Sequence, residues 1–210
     1  MESKRESMKG VPVKTEKVCP IKVNEGDVLI GMDPSSTRNC GFAVVKLENN
    51  APKLLAKFTL EITREQSDFG RYRDIYNKLV ELKTASGAKV LCVERAVGGG
   101  FGDYQFARAN INETMGVAKL ACYDNGIQVY EVSPAHLKSV VAGHGRAKKP
   151  DIKKNIMATF GLKTAGAEHE CDAAACALSL LVDAGMPYEV KVPYIAPPTK
   201  KRVAEKGDLF

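Results

Sequence analysis

Three carboxylates and one imidazole stand at unusual places in this 210-residue sequence. Asp33 and Glu94 each follow an apolar run, while Asp172 precedes a run of small apolar residues and lies three positions after His169. Taken singly they have ordinary explanations, because acids form turns at strand ends and are favourable at helix starts. Brought together, the acids would repel one another, and the cluster would need cations to be stable.

This donor set favours hard cations. Carboxylate oxygens suit Mg²⁺ or Mn²⁺ better than zinc, and two such ions about 4 Å apart can activate water and stabilise the leaving oxygen of a phosphodiester. His169 is a candidate metal ligand or proton-transfer group. Asp33, Glu94, His169 and Asp172 are therefore the candidate catalytic and metal-binding residues, and the predicted chemistry is phosphoryl transfer.

The surrounding pattern predicts elements that bring these residues together. Three apolar strands joined by short turns indicate an antiparallel meander, and two later strands separated by long helices indicate parallel pairing. The order βββαβαβ, followed by helices, predicts an α/β chain of RNase H-like fold with a five-stranded mixed sheet (three antiparallel plus two parallel strands) flanked by helices. Predicted strands cover 28–32, 41–47, 54–62, 89–93 and 127–132. Predicted helices run from Phe69 to just before Gly87, from about Phe106 to Gly126, over 150–160 and over about 168–183, and another begins at Ser133-Pro134. Alternation in the third strand predicts one buried face for Leu54, Ala56, Phe58, Leu60 and Ile62.

Composition is typical of one globular domain, with 44% apolar and 27% charged residues. The sequence predicts neither a membrane span nor a secretory signal, and hence a cytoplasmic protein, because it has no long apolar run and no apolar segment near Met1. Six scattered cysteines without a C-x-x-C pair indicate core thiols in a reducing compartment rather than a zinc site. We expect a flexible arm at 1–26, a folded RNase H-like domain at 27–188, and a basic Pro/Lys-rich tail at 189–210.

A basic segment supplies candidate DNA contacts. Within seventeen residues that contain one acid, Asp151, the sequence carries Lys138, Arg146, Lys148, Lys149, Lys153 and Lys154. Gly143 and Gly145 make the intervening loop pliable, and phosphate contacts of this kind give affinity without reading sequence. The alternative is a solvated charged face. Phe101, in the Gly-rich loop after Glu94, is a candidate for stacking on an unpaired base.

Four stretches occur in order between about residues 28 and 183: GMDPSSTRNCGFAVV, VERAVGGG, EVSPAHLKSVVAGHGRAKKPDIKKNI and HECDAAACALSLL. Together they resemble the motifs of the RuvC family of Holliday junction resolvases. The resemblance implies that Asp33, Glu94, His169 and Asp172 bind two Mg²⁺ or Mn²⁺ ions per active site. It also implies a homodimer that resolves four-way DNA junctions by paired symmetric nicks, with no nucleotide cofactor and no membrane partner. Lys138 and Lys148 match basic positions of the family.

The sequence also departs from the family pattern. The loop after Glu94 is longer and richer in glycine, and the N-terminal arm and basic tail are additional. These features suggest a divergent member, from a bacterial or phage-infected host cytoplasm, and leave open a broader nuclease that also cuts forks and flaps. Two other classes stay open: a non-cleaving junction binder, and an ATPase of the actin or sugar-kinase fold. The ATPase is disfavoured because no glycine follows Asp33 until Gly41.

Overall fold

The computed structural model describes residues 19–34, 39–61, 67–95 and 104–192. Its elements are, in chain order, β1 (Val28–Pro34), β2 (Asn39–Glu48), β3 (Ala51–Glu61), α1 (Asp68–Ser86), β4 (Val90–Glu94), α2 (Tyr104–Asp124), β5 (Gln128–Val132), α3 (Pro134–Ala142), α4 (Lys149–Phe160) and α5 (Glu168–Asp183). No helix in these four ranges is both long and apolar enough to span a membrane.

The strands form one mixed sheet in the order β3-β2-β1-β4-β5. β2 is antiparallel to both β1 and β3, whereas β4 is parallel to both β1 and β5. A tight turn suffices between β2 and β3, while α1 and α2 return the chain to the other end of the sheet before β4 and β5. The predicted arrangement of three antiparallel and two parallel strands is confirmed.

Helices cover both faces of the sheet because strand side chains alternate in direction. In β1, Leu29 belongs to the apolar cluster that includes α3, α4 and α5, whereas Ile30 and Met32 belong to the cluster with α1 and α2. All three are fully buried. Ile21, which the sequence analysis assigns to the N-terminal arm, is buried in the first cluster.

The prediction that Leu54 shares a buried face with Phe58 and Leu60 is wrong. Leu54 packs with the α3–α5 cluster, whereas Phe58 and Leu60 pack with the α1–α2 cluster. The reason is a bulge at Leu55, which is skipped in the pairing with residues 44–45 of β2. One extra residue in a strand reverses the alternation that follows it.

β1 extends two residues beyond its predicted end. Asp33 and Pro34 continue the ladder by pairing with Gly41 and Cys40, so that Asp33 is a strand residue rather than a turn residue. The predicted end of the third strand, Ile62, lies outside the described residues.

α5 lies directly on the sheet because two strand positions carry no side chain. A Cβ at Gly31 would lie 1.9 Å from the carbonyl oxygen of Ala173, and one at Gly41 would lie 2.0 Å from that of His169. The helix presents fully buried small residues to the sheet over 173–177. This close approach fixes the depth at which the first turn of α5 stands beside the end of β1.

Candidate active site

A cavity of about 260 Å³ opens at the sheet edge where β1 and β4 end. Its lining comprises Asp33, Pro34, Glu94, Arg95, Ile111, Leu137, Lys138, Lys149, Ile152, His169 and Asp172. The four residues of the predicted catalytic set therefore face one cavity, although the first and last lie 139 positions apart in the sequence. Ligands of open α/β sheets bind at this edge, beyond the carboxyl ends of parallel strands.

Strand register places the first two acids side by side. Met32 of β1 pairs with Val93 of β4 in the parallel ladder. Asp33 and Glu94 are the next residues of the two strands, so they reach the same edge together. The sequence analysis anticipated this juxtaposition from the two apolar runs.

α5 adds His169 and Asp172 from its first turn and a half. Nδ1–H of His169 donates to Oδ2 of Asp33 at 2.7 Å. The opposite side of this turn is tied to β3, because Nζ of Lys57 lies 2.5 Å from Oε2 of Glu170 and donates to the carbonyl of Ala165 at 2.8 Å. These contacts hold the helix start and direct His169 and Asp172 towards the cavity.

The acids of the cavity oppose one another's ionisation. Burial and, to a smaller extent, the charges of Asp33 and Asp172 together raise the pKa of Glu94 to about 7. Burial, with the charge of Asp33, likewise raises the pKa of Asp172 to about 6, while Lys149 acts in the opposite direction. The site thus concentrates negative charge that a cation would stabilise.

Lys149 supplies part of the compensating charge. Its Nζ pairs with the carboxylate of Glu168 and lies 4.0 Å from Oδ2 of Asp172. The bond to Glu168 raises the pKa of Lys149, and the charges of Asp172 and Asp33 raise it further. Lys149 therefore borders the cavity, whereas the sequence analysis predicted it only as a DNA contact.

The donor chemistry of the cavity fits a divalent cation, although the side chains are not closed around one. Among the described residues, no three His, Cys, Asp or Glu side chains are close enough to form a metal site as they stand. Three carboxylates nevertheless share one cavity, and two of them, Glu94 and Asp172, have raised pKa values because they are buried and lie near the charge of Asp33. Oxygen donors of this type are the usual ligands of Mg²⁺ and Mn²⁺.

Comparison with known proteins places this site in a family. The family model of crossover junction endodeoxyribonuclease RuvC matches residues 29–180. The chain belongs to the RuvC family. It is 29% identical over 150 residues to the RuvC of Halorhodospira halophila, covering 71% of this chain and 87% of that protein. With the RuvC of Prochlorococcus marinus strain AS9601 it shares 30% identity over 159 residues, 75% of this chain and 98% of that protein.

A solved RuvC structure has the same fold. T. thermophilus RuvC, in complex with a Holliday junction substrate, superimposes with a TM-score of 0.65 at 25% sequence identity, covering 73% of this chain and 92% of that chain. The RuvC match begins at β1 and ends within α5. All four cavity residues of the candidate catalytic set lie inside it.

The predicted DNA-binding residues fall into two groups. Lys138 and Lys149 line the cavity, whereas the other described members lie exposed around the start of α4: Arg146, Lys148, Lys153 and Lys154. Lys148 is the N-cap residue of α4, and its backbone N–H donates to Oδ2 of Asp151 at 2.9 Å. Phe101 lies outside the described residues.

Sequence reasoning missed the apolar walls of the cavity. Ile111 of α2, Leu137 of α3 and Ile152 of α4 complete its lining. Leu137 and Ile152 are 3% and 2% exposed, so they also serve the core. Their helical spacing could only identify them as core positions, because the sequence does not show which core residues border an opening.

Proposed function

We propose that this RuvC-family chain is a metal-dependent endonuclease that resolves four-way DNA junctions by paired, symmetric nicks. The observation that carries the proposal is the convergence of Asp33, Glu94, His169 and Asp172 on one cavity. The T. thermophilus relative that shares the fold was solved with a Holliday junction substrate, which supports branched DNA as the substrate here.

The residues of the cavity have distinct roles in this proposal. Asp33, Glu94 and Asp172, with His169, would hold two Mg²⁺ or Mn²⁺ ions, which supply activation of water and stabilisation of the leaving oxygen. Asp33 orients His169 through the bond at 2.7 Å. Lys138 and Lys149 bring positive charge to the cavity, where the scissile phosphate would lie.

Paired nicking requires two active sites, and the surface of α2 supports a homodimer. Leu120 and Tyr123 are three positions apart in the sequence, so they lie on one side of α2. Leu120 is 55% exposed and Tyr123 is 84% exposed. A second copy would cover these apolar side chains, and the two-fold symmetry of a closed dimer would match the symmetry of two coordinated cuts.

The decisive experiment uses the full chain, a labelled four-way junction, and Mg²⁺ or EDTA. We expect cuts near the crossover that need Mg²⁺, and much slower cutting of a linear duplex. Asp33→Asn should leave junction binding within about twofold while slowing cleavage roughly 1,000-fold, because a lost metal ligand costs several kcal/mol in the transition state. Glu81→Gln, in an exposed ion pair on α1, is the control and should cut normally.

Other outcomes of the same experiment would favour the competing functions. Binding without cleavage in any divalent cation would indicate a non-cleaving junction binder. Equal rates on forks, flaps and four-way junctions would indicate a broader nuclease on branched DNA. Unchanged cleavage by Asp33→Asn would remove Asp33 from the catalytic set.

A further inference from the structure

A second cavity opens beside the candidate active site. Its volume is about 240 Å³, and its lining comprises Arg95, Tyr130, Glu131, Val132, Ser133, His136 and Asp183. Arg95 lines the candidate active site as well, so the two cavities are neighbours. The volume lies below the range of about 300–1,000 Å³ that is usual for drug-sized ligands, and it suits a group of the size of one nucleobase.

The pairing of β4 with β5 and the start of α3 fix how the two cavities adjoin. Arg95 is the residue after β4, and its backbone N–H donates to the carbonyl of Val132 at 2.8 Å, which continues the ladder between the two strands. Leu137 and Lys138 of α3 line the first cavity, whereas His136, which precedes them, lines the second. Arg95 and the start of α3 therefore stand between the two cavities.

An exposed imidazole is held in a fixed orientation in the second cavity. The side chain of His136 is 49% exposed, yet its Nε2 lies 2.8 Å from Oδ1 of Asp183 and 3.0 Å from Oδ2. Asp183 is only 15% exposed, and its Oδ2 also accepts from the hydroxyl of Tyr130 at 2.7 Å. Burial and this bond raise the pKa of Tyr130, so the hydroxyl keeps its proton and remains a donor. Ordering an exposed side chain costs rotamer entropy, and these contacts order the ring before any ligand binds.

The charges of the second cavity favour an uncharged ligand that has both donors and acceptors. Two carboxylates, those of Glu131 and Asp183, line it together with the guanidinium of Arg95. Glu131 pairs with Lys119 at 2.5 Å, but the two acids would still oppose a phosphate group. A nucleobase carries no charge, and its polar edge can donate to a carboxylate and accept from a guanidinium. Its face can stack on an aromatic ring such as that of His136.

We propose that the second cavity binds one unstacked base of the cleaved DNA strand, next to the nucleotide whose phosphate enters the active site. His136 supplies the surface on which the base stacks, and Asp183 and Tyr130 hold the ring in place. Arg95 and Glu131 contact the polar edge of the base. The inference rests on the proposed function for its substrate, because an opened or branched duplex presents an unstacked base at the lowest cost. The contact itself belongs to binding and does not require cleavage.

The test is a double-mutant cycle between the protein and the DNA, measured as binding in EDTA so that no strand is cut. Each four-way junction carries an abasic site at one nucleotide near the crossover, and the site is moved one position at a time. For the wild type we expect one position at which loss of the base weakens binding roughly tenfold, as for a lost stacking contact. His136→Ala should weaken binding of the intact junction by a similar factor. It should also make that position insensitive to loss of the base, because both changes remove the same contact.

A purely structural effect of His136→Ala would give a different result. It would weaken binding of every junction by the same factor, because a displaced α3 does not distinguish an intact base from a missing one. Lys53→Ala is the matched control, since Lys53 is 58% exposed and forms an ion pair with Glu48. Lys53 pairs with Lys46 opposite the start of β1, at the end of the sheet far from Asp33. The control should bind every junction like the wild type.

The results are separable from the proposed function. If loss of the base has no effect at any position, or the same effect in the wild type and in His136→Ala at every position, the proposed base site is overturned. If the full chain binds junctions but cuts none, the proposed function fails, while the affinities still decide whether the cavity binds a base. If the full chain cuts junctions and the two effects are additive, only the base site fails.

Discussion

At the scale of single residues, the three acids of the cavity differ in the hydrogen bonds and positive charges that stabilise their ionised forms. Asp33 shares a hydrogen bond with His169, and Asp172 has Lys149 at 4.0 Å. Lys138 and Lys149 act on Glu94 only through their charges. These charges lower the pKa of Glu94, but burial and the charges of the two other acids raise it by more. Glu94 is therefore the acid whose ionisation depends most on a bound cation.

This imbalance predicts a dependence of stability on pH. Folding raises the pKa of Glu94 from 4.5 to about 7 and that of Asp172 from 3.8 to about 6. Between about pH 4 and 7 the native state therefore binds more protons than the unfolded state, and the free energy of unfolding must fall as the pH rises. The loss should be on the order of 2 kcal/mol for Glu94, less than the full shift would give because the site is open to solvent.

The measurement is the melting temperature of the chain between pH 5 and 7.5, in EDTA and in Mn²⁺. In EDTA the melting temperature should fall towards pH 7.5, and Glu94→Gln should flatten this fall because it removes the ionisable group. Mn²⁺ should raise the melting temperature more at pH 7.5 than at pH 5, since ligation requires ionised acids. A wild-type profile that matches that of Glu94→Gln would contradict the argument.

At the scale of elements, the sequence predicted the residues of the site better than it predicted how the strands and helices pack. Asp33, Glu94 and Asp172 could be found because each interrupts or ends an apolar run, and the bounds of α5 follow from the switch to small residues at Asp172. The bulge at Leu55 could not be found, because a single inserted residue leaves the local pattern intact and only the pairing with β2 reveals it. The place of Lys149 at the cavity also required the fold, since Lys148 beside it has the same residue type.

The contact between α5 and the sheet gives a prediction at this scale. Gly31→Ala should destabilise the chain by about 2–3 kcal/mol, because the added methyl would meet the backbone of α5 and the core cannot expand freely. It should also slow cleavage, since displacement of α5 moves His169 and Asp172. Urea unfolding and a junction-cleavage rate measure the two effects.

The matched control is Gly116→Ala on α2, where a Cβ would meet nothing within 4 Å. The free energy of unfolding should rise there by about 0.5–1 kcal/mol, as expected for alanine in place of a helical glycine. Equal effects at the two positions would mean that α5 does not depend on Gly31 for its close approach.

At the scale of the whole molecule, the candidate active site and the exposed apolar residues of α2 lie at different places on the chain's surface. The cavity and the basic start of α4 lie at one end, where the carboxyl ends of β1 and β4 meet. The exposed apolar residues Leu120 and Tyr123 lie near the end of α2. The proposed DNA surface and the proposed dimer surface are therefore separate, as two coordinated cuts by a dimer would require.

The dimer proposed for this chain is tested by Leu120→Glu. A charge buried against a second copy has no partner to compensate it, so the variant should sediment as a monomer where the wild type sediments as a dimer. Leu55→Glu is the control, since Leu55 has similar exposure, 47% against 55% for Leu120, but lies on the edge strand β3. A monomeric Leu120→Glu should still nick junctions at single strands but should lose paired cutting. If it remains a dimer and still cuts in pairs, the partner covers a different face; if the wild type is monomeric on DNA, paired cutting by a dimer is excluded.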